Sequence, residues 1–318
     1  MNNLFSIDLM LLFFILGLAA GFIKSDLKVP EQISQIISIY LLLAIGLKGG
    51  HEIRSAEHLN GLGAILIIGL ISCLFIPYYL FRRLKNMIGS ANAAALAACY
   101  GSVSAITFIA AQNYLDHQNL PTSGFMVAVM ALMETPAIIF SLWLLRVKEN
   151  QGHNSNQSVD LFAILKTKSV VLLIGGFIIG LCLNASTWIS IKPIVQDSFR
   201  GILIFFLLDL GLVAYNQLKY LKENKKIYVI VGSVLPLLHG SLALSAAYIF
   251  GAQQGDSILL AILVGSASYI AVPAVLRTAV PEANAGLYTA LPLAVTFPIN
   301  VILGLPYYLY LSKLLYLQ

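Results

Sequence analysis

Charged side chains are scarce in this sequence. Only 10% of its 318 residues are Asp, Glu, Lys or Arg, whereas 59% are apolar. Soluble domains carry about 25% charged residues, so a chain of this length with so few charges cannot cover a water-exposed surface. A lipid environment needs no such cover. The composition therefore predicts an all-α integral membrane protein embedded in a lipid bilayer.

The signatures of several chemical activities are also missing. Three cysteines fall inside apolar segments without metal or redox spacing, and we interpret them as packing residues: Cys73, Cys99 and Cys182. The chain has no phosphate-binding P-loop, no paired metal-binding acids and histidines, and no nucleophile beside a base. Its net charge of +5 is not interleaved with aromatic residues. The sequence therefore predicts no enzyme, no cofactor, no direct use of ATP and no nucleic-acid partner.

The N-terminal apolar stretch is predicted to stay in the mature protein. Residues 9–23 are apolar, and the eight residues before them contain no Lys or Arg. A secretory signal needs a basic region at its start. We therefore expect this stretch to be the first membrane helix.

Apolar runs bounded by charges or turn residues predict about ten transmembrane helices, each near the roughly 20 residues that a bilayer requires. A polar stretch, 147–168, separates a first five-helix unit, 1–146, from a second, 169–318, and we interpret it as a cytoplasmic linker. The predicted spans lie near 7–23, 30–50, 60–81, 91–115, 121–146, 169–187, 195–218, 227–250, 256–279 and 284–312.

The distribution of basic residues predicts the orientation. Fourteen of the 19 Lys and Arg residues fall in the loops that follow odd-numbered spans. Cytoplasmic loops carry the excess of Lys and Arg. We therefore expect a multi-pass protein of the cell (inner) membrane with both termini on the extracytoplasmic side.

The two five-helix units share motifs in the same order. Each unit has an odd number of spans, so the second must enter the membrane inverted, as in many secondary transporters. The motif pairs lie 159, 165, 164 and 162 residues apart: Gly17 with Gly176, Gly46 with Gly211, Gly101–Ser104 with Gly265–Ser268, and Pro136 with Pro298.

Two of these motifs predict broken, crossing helices. Residues 100–107 and 265–273 place small polar residues at the middle of spans 4 and 9, and Pro273 removes a backbone donor. Half-helix N-termini that face each other would form an anion cradle, and freed carbonyls with serine hydroxyls would hold a cation. The alternative is that these are small residues for close helix packing.

Two acidic residues lie within predicted spans. Glu134, beside Pro136 in span 5, and Asp209, in span 7, are candidates for a cation site or proton relay because intramembrane acids are costly. The alternative is a buried structural partner such as Arg200 or His239. We interpret His239 as a hydrogen-bonded core residue rather than a proton carrier.

Six segments spread over nearly the whole sequence are similar to those of a known family: Ile45–Gly50, Gly101–Ile139, Phe199–Gly201, Pro236–Gly240, Leu276–Arg277 and Pro281–Asn284. At these segments the sequence resembles the sodium-dependent bicarbonate transporters of cyanobacteria, the SbtA family. The resemblance implies two inverted five-helix repeats with core and gate domains, a substrate between the broken helices, a sodium ion as coupling ion, and a homotrimer.

The resemblance also assigns site residues. The candidates for substrate binding are Gly101, Ser102, Ser104, Thr107, Ser266, Ser268 and Tyr269, and those for cation binding are Glu134, Asp209, Ser104 and Ser268.

The chain departs from the family at several of these positions. Tyr269 stands where the family has an Asp, Ala271-Val272 replaces Ser-Gly, and an acid missing at Val213 reappears one turn earlier at Asp209. Loop 147–168 is short, which weakens the case for the family's PII-like regulator.

The leading hypothesis is a secondary active transporter of a small anion, with sodium-coupled bicarbonate uptake first, working by alternating access. One alternative is a proton- or sodium-coupled carrier of another small organic anion that uses Glu134 and Asp209. Another is a membrane-embedded sensor or assembly subunit that binds a ligand without moving it.

Overall fold

The computed structural model describes residues 9–55, 61–149, 168–218 and 228–316. These ranges contain helices and turns and no β-strand, so the prediction of an all-α protein is confirmed. The predicted linker 147–168 lies almost wholly outside the described residues. The side chain of Arg200, a suggested partner for the acids, also lies outside them.

Thirteen helices account for the described ranges. Turns of π-helix lie at Pro193–Asp197 and Ile230–Val234, and at Leu291–Thr296 and Asn300–Gly304 within the last helix. In chain order the helices are α1 Leu9–Phe22, α2 Glu31–Ser55, α3 Leu62–Ile88, α4 Ser90–Gly101, α5 Ala105–His117, α6 Phe125–Glu149, α7 Lys168–Cys182, α8 Ala185–Lys192, α9 Phe199–Gln217, α10 Ile230–Ile249, α11 Gln254–Val264, α12 Ala271–Ala279 and α13 Ala285–Tyr316.

Seven stretches among the described residues are long and apolar enough to cross a membrane. Many of their large apolar side chains point outward, such as Ile67, Ile71 and Phe75 along one face of α3. Such a surface suits lipid rather than water. The membrane class is therefore confirmed, and the count of ten spans stays a prediction.

Four helices form a first bundle, in which α1 lies against α9 and α2 lies against α7. Both contacts are made through glycines. A Cβ atom at Gly17 would lie 2.1 Å from the Leu208 carbonyl oxygen, and one at Gly180 would lie 2.3 Å from the Leu47 carbonyl oxygen. Only glycine lets the backbones approach so closely.

Apart from the short α8, which precedes a π-helical turn that packs on α2 and α9, the other helices form a second bundle, built around α4 and α11. Helix α4 packs on α3 and α6, and α11 packs on α10, α13 and α5. Every residue from Ala93 to Gly101 in α4 and from Gly255 to Val264 in α11 is buried. These two helices therefore sit inside the bundle and are surrounded by protein.

Helices α4 and α5 are separated by three residues, and α11 and α12 by six. Ser102 has φ −87° and ψ 176°, and Ser104 has φ −107° and ψ 109°, so the chain is extended there. Residues 265–270 are likewise non-helical. Pro273 falls in the first turn of α12, where the missing N–H costs nothing.

The cysteines only partly match their interpretation as packing residues. Cys73 and Cys99 are buried, and their thiols lie against the main-chain carbonyls of Met133 and Tyr288. Cys182, at the end of α7, is exposed, so the interpretation is wrong for that residue. The helix ends there: Gly180 still packs against Leu47 of α2, while the Cys182 side chain points outward.

Candidate functional site

The segment between α4 and α5 is held by hydroxyl groups. The Ser102 hydroxyl donates to the main-chain carbonyl of Glu134 at 3.0 Å. The Ser104 oxygen accepts the main-chain N–H of Thr107 at 3.2 Å, which caps the N-terminus of α5. Ser102, Ser104 and Thr107 are all buried.

The segment between α11 and α12 is built in a similar way. Ser266 donates its hydroxyl proton to the Leu263 carbonyl at 2.8 Å. The Ser268 hydroxyl oxygen accepts the main-chain N–H of Val272 at 3.3 Å, in the first turn of α12. Both serines are buried.

The two segments bind each other directly. The Ser104 N–H donates to the Ser266 hydroxyl at 2.9 Å, and the Ser268 N–H donates to the Cys99 carbonyl at 2.8 Å. Residues that are some 160 positions apart in the sequence therefore form one buried polar cluster. The candidates for substrate binding, from Gly101 to Thr107 and from Ser266 to Tyr269, all lie in or beside it.

Tyr269 adds a buried hydroxyl to this cluster. Its side chain is 6% exposed, and its hydroxyl has no hydrogen-bond partner among the described residues. The hydroxyl faces that of Ser104, but the two groups do not reach hydrogen-bond geometry. The ring packs edge-on to Phe297 at 5.9 Å between centroids, and Phe297 in turn meets Phe14 of the first bundle at 5.1 Å.

The hydroxyl protons of Ser104 and Tyr269 are left without an acceptor. The Ser104 oxygen already accepts both the N–H and the hydroxyl of Thr107, the latter at 2.8 Å. Its own proton takes part in no hydrogen bond among the described residues, and neither does that of Tyr269. A buried donor without an acceptor is costly. The two donors, next to the N-terminus of α5, therefore suit a ligand that only accepts hydrogen bonds.

The two acidic candidates lie in different places. Glu134 is buried in α6, and its main-chain carbonyl accepts from Ser102. Asp209 is buried in α9 of the first bundle, where its carboxylate accepts from the hydroxyl of Ser34 in α2. Glu134 is therefore close to the polar cluster, whereas no hydrogen bond among the described residues joins Asp209 to it.

His239 lies half-buried in α10. No hydrogen bond found among the described residues involves its ring, so the interpretation as a hydrogen-bonded core residue stays a prediction.

Sequence reasoning missed a third acid, Asp256. It is fully buried in the first turn of α11, and its carboxylate accepts the main-chain N–H of Ser123 at 2.6 Å and the Ser123 hydroxyl at 2.7 Å. An acid in the first turn also interacts favourably with the helix dipole. In the sequence, the feature that could have identified Asp256 is its position at the start of a long apolar run.

A related contact lies at the start of α4. The Asn92 side-chain oxygen accepts the main-chain N–H of Asn284 at 2.7 Å. Helix α4 is thus anchored at its N-terminus to the loop that precedes α13, and α11 to the loop that precedes α6.

We expect Asp256→Ala to destabilise the protein by about 1–3 kcal/mol, because two partly buried donors of Ser123 would lose their acceptor. Thermal unfolding in mild detergent measures the effect. The matched control is Asp197→Ala, which changes an exposed acid and should leave the transition within about 1 °C, since surface substitutions are near neutral. Equal transitions for both variants would remove the anchoring role.

Comparison with known families agrees with this geometry. Residues 10–313 match the model of the Na⁺-dependent bicarbonate transporter superfamily. Comparison with individual curated proteins gave no significant match. The match covers nearly the whole chain, from α1 to α13. This chain therefore belongs to the Na⁺-dependent bicarbonate transporter superfamily.

Proposed function

We propose that this protein is a secondary active transporter that couples the Na⁺ gradient to bicarbonate uptake by alternating access. The observation that carries the proposal is the buried cluster in which Ser104 and Tyr269 offer two hydroxyl protons without acceptors. Membership of the superfamily supports sodium and bicarbonate as the solutes.

The anion is proposed to bind where the interrupted helices meet. Its oxygens accept the protons of Ser104 and Tyr269, and the N-terminus of α5 contributes partial positive charge. Bicarbonate is small, and its two unprotonated oxygens accept hydrogen bonds without donating any. The site therefore suits its carboxylate edge.

Sodium is proposed to bind beside the anion. The lone pairs of the Ser104 oxygen are already used by Thr107, so we assign Ser104 to the anion and not to the cation. The Ser268 oxygen accepts a single N–H, which leaves it free to coordinate Na⁺ together with the buried Glu134. Asp209, with its partner Ser34, is proposed to act within the first bundle.

The architecture proposed for transport is ten helices in two inverted five-helix repeats, 1–146 and 169–318. The reciprocal packing of α1 on α9 and α2 on α7 supports it, because inversion of the repeats exchanges these two contacts. Gly17 of α1 lies against Gly211 of α9, and Gly180 of α7 lies against Gly50 of α2. Inversion would make Gly17 equivalent to Gly180, at an offset of 163, and Gly50 equivalent to Gly211, at an offset of 161. These offsets differ by one helical turn from those of the sequence motifs in α1 and α2.

Alternating access is proposed to come from movement of one bundle against the other. The first bundle, with its interdigitated glycines, would act as the gate, and the second would carry the anion site. The aromatic contact between Phe14 and Phe297 joins the two bundles beside Tyr269. It would have to separate or slide when the site changes sides.

The protein is proposed to reside in the cell (inner) membrane as a homotrimer, with both termini outside. Arg82 and Arg83, at the end of α3, lie over the rings of Tyr78 and Tyr79. Aromatic and basic residues are both typical of a cytoplasmic membrane boundary, which supports this orientation. No role is proposed for a PII-like regulator, because the linker that would bind it is short.

Uptake of labelled bicarbonate into proteoliposomes tests the function. A tenfold inward Na⁺ gradient supplies about 1.4 kcal/mol per ion, so coupling of one Na⁺ to one bicarbonate would accumulate the anion about tenfold when the membrane potential is clamped at zero. The control replaces the gradient with equal Na⁺ on both sides, and accumulation should vanish.

The other outcomes identify the alternatives. Bicarbonate flux that ignores Na⁺ would overturn the coupling. Flux that follows a pH gradient and is lost in Glu134→Gln would favour a proton-coupled carrier. Saturable binding without flux would indicate a sensor or assembly subunit.

A further inference from the structure

A polar cleft lies between the two bundles, away from the helix interruptions. Its volume is about 380 Å³, including the part that is open to solvent. Helix α2 and the π-helical turn after α8 form one wall, and α5 forms the other. The polar side chains that line it are Lys48, Gln112, Asn113, Asp116 and Gln196.

Helix α5 connects the cleft to the buried cluster. Ser104 caps the start of α5, whereas Gln112 and Asp116, one turn apart, lie near one face of the helix further along. At 1.5 Å per residue, Gln112 is about 12 Å and Asp116 about 18 Å from Ser104 along the axis. Phe108, one turn before Gln112, is fully buried. The cleft and the anion site therefore lie at different positions along the same helix.

The charge of the cleft comes from one ion pair across the two bundles. The Lys48 ammonium lies 3.5 Å from the Asp116 carboxylate, with side-chain exposures of 20% and 51%. Lys48 is the basic residue among the lining side chains. Because Asp116 is half-exposed, its carboxylate can turn into solvent at little cost, whereas Lys48 stays in the cleft.

Gln112 provides a second feature of a binding site. Its side chain is 4% exposed and lines the cleft. Its amide makes no hydrogen bond to any of the described residues. The amide is therefore available to a ligand in the cleft. The amide and the Lys48 ammonium therefore give the cleft two kinds of donor for one small ligand.

We propose that this cleft is a second, outer binding site for a small monovalent anion, in which Lys48 exchanges Asp116 for the anion before the anion reaches Ser104 and Tyr269. The identity of the anion as bicarbonate, and the outer location, rest on the proposed function. The site itself rests on the cleft, the ion pair and the Gln112 amide.

The two partners of the ion pair have opposite roles in this site. Lys48 attracts the anion, whereas Asp116 competes with it. Lys48→Gln should therefore raise the KM for bicarbonate uptake roughly fivefold or more, and Asp116→Asn should lower it roughly two- to threefold, in keeping with the modest strength of an exposed ion pair. The double variant should resemble Lys48→Gln. An ion pair with only a structural role would shift KM in the same direction in both single variants, and that result would overturn the proposal.

A chemical probe tests the site without measuring transport. Asn113→Cys, in a Cys182→Ser background, places a thiol in the cleft, while the two remaining native cysteines are buried. With Asp116→Asn also present, Lys48 is the charged side chain left in the lining, so an anionic methanethiosulfonate reagent should modify the thiol roughly tenfold faster than a cationic one, relative to their rates with a free thiol. Bicarbonate should slow the reaction, and Lys48→Gln should abolish the preference.

The probe separates failure of this site from failure of the proposed function. Equal rates for the two reagents, or no effect of bicarbonate, would overturn the outer site even if the protein transports bicarbonate. A preference for the anionic reagent that is slowed by chloride but not by bicarbonate, in a protein without bicarbonate flux, would retain the site and reject bicarbonate as its ligand.

Discussion

Gly180→Ala should prevent stable folding of this protein. The new Cβ atom would lie 2.3 Å from the Leu47 carbonyl oxygen and 3.1 Å from the Gly50 Cα. Both neighbours are backbone atoms of α2, so no side chain can turn away, and the two helices must separate. Overpacking of a tight core costs about 1–3 kcal/mol, sometimes more, and separation of α2 from α7 would also loosen the contacts along both helices. We expect most of the variant to be aggregated, and size-exclusion chromatography in mild detergent measures the aggregated fraction.

Gly175→Ala provides the matched control in the same helix. A Cβ atom at Gly175 would have no neighbour within 4 Å, and alanine favours a helix over glycine by about 1 kcal/mol. This variant should elute at the same volume as the original protein and unfold at the same or a slightly higher temperature. If Gly180→Ala behaved in the same way as Gly175→Ala, the close approach of α2 and α7 would be wrong.

Tyr269→Phe should impair transport and leave the fold intact. The substitution removes the buried hydroxyl that has no partner among the described residues and keeps the ring that packs on Phe297. A hydrogen bond to a charged group contributes about 1.5–3 kcal/mol, so loss of the donor to the anion should raise the KM for bicarbonate roughly 10- to 150-fold. Initial uptake rates over a range of bicarbonate concentrations measure this change.

The stability of Tyr269→Phe distinguishes a binding role from a structural one. Because the hydroxyl makes no bond to the described protein, its removal should leave the thermal transition unchanged or slightly raised. Tyr307→Phe is the control, since it removes a hydroxyl that bonds Ser241 in an exposed region of α13 and α10, and it should leave KM unchanged. A lower transition together with an unchanged KM for Tyr269→Phe would assign the hydroxyl a structural role and contradict the proposed anion site.

The positions of the helices could be predicted from the sequence because apolar runs dominate it. The first apolar run, 7–23, contains Leu9–Phe22, and the small polar motifs coincide with the ends of α4 and α11. Helix ends were less predictable. Helix α3 continues seven residues past the predicted end at 81, to Ile88, and passes through Arg82 and Arg83. Their stacking on Tyr78 and Tyr79, one turn earlier, keeps these charged residues within the helix.

Contacts between distant helices could not be predicted in the same way. The cost of burying an acid identified Glu134 and Asp209 as noteworthy, but it does not reveal the partner of either. The bond from Ser34 to Asp209 and the bonds from Ser123 to Asp256 depend on which helices meet. The unused proton of Ser104 is likewise invisible in the sequence, because it depends on where Thr107 points.

The complete burial of α4 and α11 separates the proposed anion site from the surrounding lipid. Annular lipids reach only the outer helices, such as α1, where Leu16 is 54% and Phe22 is 63% exposed. A mismatch between hydrophobic thickness and helix length costs fractions of a kcal/mol per Å, and that cost falls on these outer helices. A thinner or thicker bilayer should therefore change how fast the protein turns over, while its equilibrium affinity for the solute stays the same.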